Sequence, residues 1–257
     1  MDFIITIFIN LLLYIYQFLG NNFGWAIIIF TILIRLLMYP LTKQQLESAQ
    51  KMQDMQQDER WQKIQKKYKK DKEKLAEEQM KFYQEMGISP FGSCLPTLIQ
   101  FPIIIGLYYA VTRTLATSPT QLLNLIPDIL LKNATSLIPL NNHFLWMDLS
   151  QPERFPLSFI PSDLPLIGAG IPVLAIIVFI TSYYQSKIMS PPTSDPNDPS
   201  ASMSRSMTIM MPVMMGWLSL TFSAGLALYF FTSNVASLIQ YVMMGRIKLR
   251  DLLPSNK

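Results

Sequence analysis

The sequence predicts an all-α integral membrane protein with five transmembrane helices, a cytoplasmic helical hairpin, and an N-terminal helix lying on or across the bilayer. Three observations predict it. Half of the 257 residues are hydrophobic and fall in long runs rather than in the short periodic stretches of a globular core. The 21 lysines and arginines are distributed very unevenly along the chain. Between the first two apolar runs lies a polar, Gln- and Lys-rich stretch with almost no Gly or Pro, the composition of a solvated helix.

Met1–Gly20 is apolar but carries Asp2 in place of a basic n-region and is followed by no small-residue cleavage site, so it reads as mature sequence. Asn10, Tyr14, Tyr16 and Gln17 interrupt it, and a helix of this kind either spans the bilayer or lies in the headgroup region. A span needs about 20 apolar residues. Candidates are residues 23–40, 96–116, 165–188, 207–222 and 226–244, the last two joined only by Ser223-Ala224-Gly225, a turn short enough to force an antiparallel pair. Pro212 and Gly216 predict a bend in the fourth.

Orientation follows from the basic residues. Eleven of them lie between Thr42 and Ser89; Lys187 and Arg205 flank the segment before the fourth span, and Arg246, Lys248, Arg250 and Lys257 lie in the 245–257 tail. The 117–164 loop carries only Lys132 and Arg154. The positive-inside rule makes segment 41–89, the 189–206 loop and the tail cytoplasmic, and the 117–164 loop external, with the N-terminus outside and the C-terminus inside. Segment 41–89 reads as a two-helix hairpin breaking near Tyr68-Lys69-Lys70-Asp71, with Asp71 as N-cap, Gly87 as C-cap, and Leu75, Phe82 and Met86 on one face. Its charged face is either simply solvated or a docking surface for a cytosolic partner or anionic headgroups.

Catalytic and metal chemistry find little support. One cysteine, Cys94, and one histidine, His143, leave no metal site, no cofactor is expected, and neither Gly-x-Ser-x-Gly nor His-Glu-x-x-His occurs. The residue that asks for an explanation is Arg35, set within FTILIRLLMYP, where a mid-membrane charge costs about 2.5–3.5 kcal/mol. It either snorkels toward the interface near Lys43 or faces protein and water. Thr31, Arg35, Tyr39 and Thr42 fall at helical spacing along one stripe. Gln100 on the second span, Thr181, Ser182 and Gln185 on the third, and Ser233, Asn234, Ser237 and Gln240 on the fifth supply more polar groups near the cytoplasmic side. They serve as interhelical hydrogen bonds or, converging with Arg35, as the lining of a hydrated cavity. Six of the 16 methionines lie within Met203–Met215, where flexible side chains suit either varied clients or gap-filling.

The stretches GWAIIIFTILIRLLMYPLTKQQ, KYKKDKEKLAEEQMKFYQEMGISPFGSCLPTLIQFPIIIGLYYA, FLWMDLSQPE and SAGLALYFFTSNVASLIQ closely resemble the YidC/Oxa1/Alb3 family of membrane protein insertases, in order and from about Gly24 to Met244. The resemblance implies a five-span core with a cytoplasmic hairpin, preceded by an external interfacial helix over 1–20, in the short bacterial form. It implies a plasma (inner) membrane protein, not an enzyme, whose partners are nascent membrane proteins and lipid, with the ribosome, the signal recognition particle receptor and the Sec translocon as further candidates and no specific nucleic acid. By the same resemblance Arg35 matches the groove arginine, Thr31 a substrate-contacting threonine, Gln185 a groove-facing glutamine, and Tyr229-Phe230 an aromatic pair. Phe230 departs from the pattern, because bacterial members carry Tyr or Trp there. With Gln100 and Asn234 these make the expected substrate groove. A transporter and a folding chaperone without insertion activity are the competing readings; no inverted repeat or second intramembrane charge favours the former.

Overall fold

A computed structural model of the chain describes residues 2–68, 71–87, 95–115, 140–155, 170–189 and 199–245. The segment beyond Gly245, Cys94, Lys132, most of the 117–164 loop, the start of the expected third span at 165–169 and residues 190–198 lie outside the described residues. Within them the architecture is helical: α1 Asp2–Phe18, α2 Phe23–Leu37, α3 Tyr39–Gln57, α4 Glu59–Lys67, α5 Lys72–Glu85, α6 Leu95–Thr114, α7 Val173–Met189, α8 Pro199–Thr221 and α9 Ala224–Met243, with a short hairpin of β1 His143–Phe144 and β2 Met147–Asp148 between α6 and α7.

The bundle forms around α9. It packs against α2, α6, α7 and α8, while α7 pairs most extensively with α8. Leu226 through Phe230 on α9 are all buried, joining Phe23, Ile27 and Phe30 of α2, Leu107 and Val111 of α6, and Leu174 and Val178 of α7 in one apolar core. Helix α1 buries Ile5, Phe8, Ile9, Leu12, Leu13 and Tyr16, the i, i+3, i+4 spacing of one helical face, against α2 and α6. Its opposite face leaves Phe3, Ile7, Tyr14 and Phe18 exposed. Close approach to α6 depends on Gly106, where a Cβ would stand 3.1 Å from the Phe8 ring, tighter than ordinary contact. Phe8 then meets Phe30 of α2 edge-to-face with ring centroids 5.0 Å apart.

By length and hydropathy, α9 is the one described helix that can cross a bilayer alone. Helices α2 and α3 pass the same test as a pair but are bent by 63°. The bend falls where local chemistry stops an α-helix: Met38 closes α2 by donating its N–H to Ile34 O, and Pro40, which has no N–H to donate, sits in the first turn of α3. The polar stripe expected from Thr31 to Thr42 is therefore broken. Thr31 and Arg35 stay on α2, whereas Tyr39 and Thr42 turn away on α3.

The segment read as a two-helix hairpin contains three helices, α3, α4 and α5. Asp58 ends α3 and caps α4, accepting from Arg60 N at 2.8 Å, and the same carboxylate pairs with the Arg60 guanidinium at 3.1 Å. That guanidinium holds the Asp58 carboxyl below its ordinary value. Asp71 caps α5 through Lys74 N at 3.2 Å. Met55, Trp61 and Phe82 form a small core of their own, with Leu75 and Met86 packed on it, separate from that of the bundle. Gln53 Nε2 donates to Ile188 O at 3.2 Å, tying α3 to the end of α7.

Candidate functional site

Arg35 stands in the last turn of α2, half-buried, where the unsatisfied carbonyls of a helix end carry partial negative charge that favours a cation. Its Nε donates to Ser233 Oγ of α9 at 2.9 Å and its Nη2 donates to the same oxygen. Among the described residues no carboxylate pairs with it. The backbone beneath is also held: Gln240 Nε2, two turns further along α9, donates to Arg35 O at 2.9 Å. That bond fixes the amide, and Gln240 Oε1 is left buried without a hydrogen-bond partner among the described residues. An orphaned buried acceptor costs about 1–3 kcal/mol, so this oxygen is set to receive a donor. Ser237, a turn away and fully buried, donates to Ser233 O at 2.9 Å.

Two further polar contacts extend the cluster across the bundle. Asn234 Nδ2 donates to Thr181 Oγ1 at 3.1 Å and Ser182 Oγ at 2.7 Å, joining α9 to α7. Gln100 of α6 donates to the Tyr229 hydroxyl, which in turn contacts Ser233. A chain of polar groups thus runs from α6 through α9 to the guanidinium on α2, and each link joins different helices or successive turns of α9. Gln185, half-buried on α7, lies against the Tyr241 hydroxyl of α9.

The structure brings Arg35, Asn234 and Gln100 together through α9 and treats the other sequence candidates differently. Thr31 is wholly buried and spends its hydroxyl on Ile27 O of its own helix at 2.6 Å. Phe230 is 5% exposed and belongs to the apolar core, its ring 5.7 Å from that of Tyr229. Ser233 and Gln240, read in the sequence only as polar groups of the fifth span, and Tyr229, read only as half of an aromatic pair, carry the contacts to Arg35 and Gln100 although the expected groove did not include them. The usable signal was the Ser233, Ser237, Gln240 spacing, which lays three polar groups along one stripe of an apolar helix and toward the only basic residue of α2.

Opposite the arginine end, residues 140–155 cover the N-terminal ends of α2, α7 and α9. Phe144 stacks edge-on against Trp25 at 5.9 Å and lies so close to Gly24 that a Cβ there would be 2.1 Å from the ring. Leu149 O and Gln151 O accept from Gly225 N at 3.1 Å and Ala224 N at 2.7 Å in the first turn of α9. Glu153 caps α7 through Leu174 N at 3.0 Å.

An apolar helical bundle with an arginine and a band of amides and hydroxyls set among its helices, at the end opposite residues 140–155, belongs to the class of helical membrane proteins that carry polar groups inside an apolar bundle. Residues 14–251 match the model of the 60Kd inner membrane protein family. The chain belongs to that family, the one that contains the YidC and Alb3 insertases. It is 34% identical over 240 residues to the membrane protein insertase YidC of Caldanaerobacter subterraneus, covering 93% of each chain. Against the YidC of Syntrophobacter fumaroxidans it is 33% identical over 227 residues, but it spans only about a third of that relative, 88% of this chain matching 35% of the other. The fold matches a crystal structure of an active YidC insertase whose first transmembrane domain is resolved, with a TM-score of 0.56 at 26% identity over 92% of this chain and 45% of that one.

Proposed function

We propose that this chain is a membrane protein insertase and chaperone that moves short polar segments of nascent membrane proteins through a groove open to the cytoplasm and releases their helices laterally into lipid. In this reading α2, α6, α7, α8 and α9 are the five spans, α1 is the external interfacial helix, α3 to α5 project into the cytoplasm, the N-terminus is outside and the C-terminus inside. The observation that carries it is Arg35, a cation held at the end of α2 by Ser233 with no carboxylate partner among the described residues. Such a charge is available to an incoming anion.

The physical problem is the cost of taking polar groups across hydrocarbon, several kcal/mol for each one left unsatisfied. Gln100, Gln185, Asn234 and Gln240 offer amide donors and acceptors to a polar segment partway across, and Arg35 attracts its acidic residues. Thr31 and Phe230 set the shape of the wall from within. The client's apolar helix then partitions into lipid, driven by the hydrophobic effect and helped by the membrane potential, about 2.3 kcal/mol per charge per 100 mV. The basic α4–α5 region is the proposed contact for ribosome, signal recognition particle receptor or Sec translocon, with electrostatics setting the encounter.

Reconstitution in protein-free liposomes with a short single-span client, followed by protease protection, tests the reading. Protected client in proportion to the protein is the expected result. Client that binds and folds without gaining protection shows a chaperone without insertion activity, and flux of a small solute without any client shows a transporter.

A further inference from the structure

Three helices, α2, α7 and α9, begin at the same end of the bundle, so their orphaned N-terminal N–H groups and the positive ends of their dipoles converge there. Residues 140–155 reach all three, accepting from first-turn amides of α7 and α9 and packing Phe144 on α2, whose own start is capped by Asn22. Glu153 is 5% exposed and uses both carboxylate oxygens: Oε2 accepts from Leu174 N at 3.0 Å in the first turn of α7, and Oε1 accepts from the Trp146 indole Nε1 at 2.9 Å. Trp146 sits in the β1–β2 turn, two residues from Phe144, which wedges against Gly24 and Trp25 of α2. Between Trp146 and Glu153 lie Leu149 and Gln151, whose carbonyls hold Gly225 N and Ala224 N of α9. The remaining side of the segment is internally fixed, Asp148 Oδ1 accepting from Asn142 Nδ2 at 2.8 Å and from Ser150 N at 2.9 Å, while Asn141 N donates to the Tyr16 hydroxyl of α1 at 3.0 Å.

We infer that Glu153 is a positioning residue, the pin of a latch formed by residues 140–155 that holds the starts of α2, α7 and α9 together and so keeps this end of the bundle shut. The pin is a carboxylate because two donors from different elements, an indole and a helix-start amide, point at one buried spot and the dipole of α7 favours negative charge there. It acts at a distance from Arg35. Its effect on insertion is to keep one end closed while polar segments enter at the other, so this inference rests on the proposed function only for its consequence and not for its geometry.

The test measures amide exchange in the full chain in liposomes, without client, for Glu153→Gln and for Trp146→Phe. The two donors meet different oxygens of Glu153, so a glutamine, with one oxygen and one NH2, sets a donor against one of them; the phenylalanine removes one donor and leaves the carboxylate. In Glu153→Gln, exchange at Leu174, Ala224 and Gly225 is expected to accelerate about tenfold or more, while residues 181–187 and 234–241 keep their rates, because opening is confined to one end. Trp146→Phe gives a smaller acceleration at the same three amides. In a Cys94→Ser, Ala227→Cys background, labelling by an impermeant maleimide from the side of residues 140–155 rises in parallel. Acceleration at Leu174 alone overturns the latch, leaving an ordinary helix cap, and equal acceleration at both ends in both variants overturns it as well, since Glu153 then supports the whole bundle. Should the wild-type protein fail to insert a client, the function fails while these exchange rates still decide the latch.

Discussion

Replacing Arg35 with alanine separates an electrostatic role from a structural one. A client carboxylate about 6 Å from the guanidinium, in a partly hydrated site with an effective dielectric constant of ~20–40, gains about 1.4–2.8 kcal/mol from 332/(εr), roughly a tenfold to hundredfold change in rate or occupancy. The structural share is of comparable size but separable. Arg35 donates twice to one oxygen, Ser233 Oγ, and losing such bonds costs about 0.5–1.5 kcal/mol each, whichever client is present. Gln240 bonds to the backbone carbonyl of residue 35, so that contact survives substitution of the side chain. Arg35→Lys keeps the charge and room for one bond to Ser233, and a loss of only a few fold is expected. The assay is the initial rate of protease protection in liposomes, for a client with acidic residues in its translocated segment and for the same client with those residues neutralised. The acidic client should lose tenfold or more with Arg35→Ala and the neutralised one much less, a non-additive pair. Equal losses for both clients would refute a field effect and reduce Arg35 to a helix-end contact.

Topology is tested by Leu145→Cys and Lys67→Cys in a Cys94→Ser background: Leu145, 75% exposed in the β1–β2 turn, should label from outside and Lys67 only after permeabilisation, and same-sided labelling defeats the five-span arrangement. Gly24→Ala drives a methyl into the Phe144 ring and should destabilise the protein by about 1–3 kcal/mol in thermal unfolding, with part of that recovered in the Gly24→Ala, Phe144→Ala double variant. The Asp58 cap is sensitive to acid. Its carboxyl is held down by Arg60, so its contribution is complete above the ordinary carboxylate value of 3.8 and disappears as pH falls through the lowered folded-state value; amide exchange at Arg60 and Trp61 should rise there, and Asp58→Asn should abolish that rise.

Much of this architecture is written in composition. Long apolar runs require helices in a bilayer, and α6, α7 and α9 begin within a few residues of positions marked by proline, glycine or a change in hydropathy. Arg35 and Asn234 were legible because a polar group in an apolar run is rare enough to demand a partner. The facing direction of Thr31 and Phe230 was not. When every side of a helix is apolar, sequence spacing does not say which side meets neighbouring helices, and only packing against α1, α6 and α7 decides it. The bend at Met38 was visible in Pro40, yet a helical wheel carried the polar stripe through it to Thr42. The break at Asp58 had a signal as well, an aspartate followed by Glu59 at a helix start, but it was hidden in a stretch already dense with charge.

The 63° bend between α2 and α3 has a mechanical meaning. Helix α3 is a lever about 28 Å long whose fulcrum lies three residues from Arg35. Any load arriving at its far end would twist the turn that carries the guanidinium, were the lever free. The bond from Gln53 to Ile188 clamps it roughly 22 Å out, against the end of α7. Beyond the clamp the chain breaks at Asp58, and α4 and α5 pack around Trp61 onto Met55 at the end of α3. The arrangement works as strain relief on a cable: a pull on the outer two helices passes to α3 through the core that holds Met55, and the bond at Gln53 takes it up before it reaches the turn where the arginine keeps its register with Ser233.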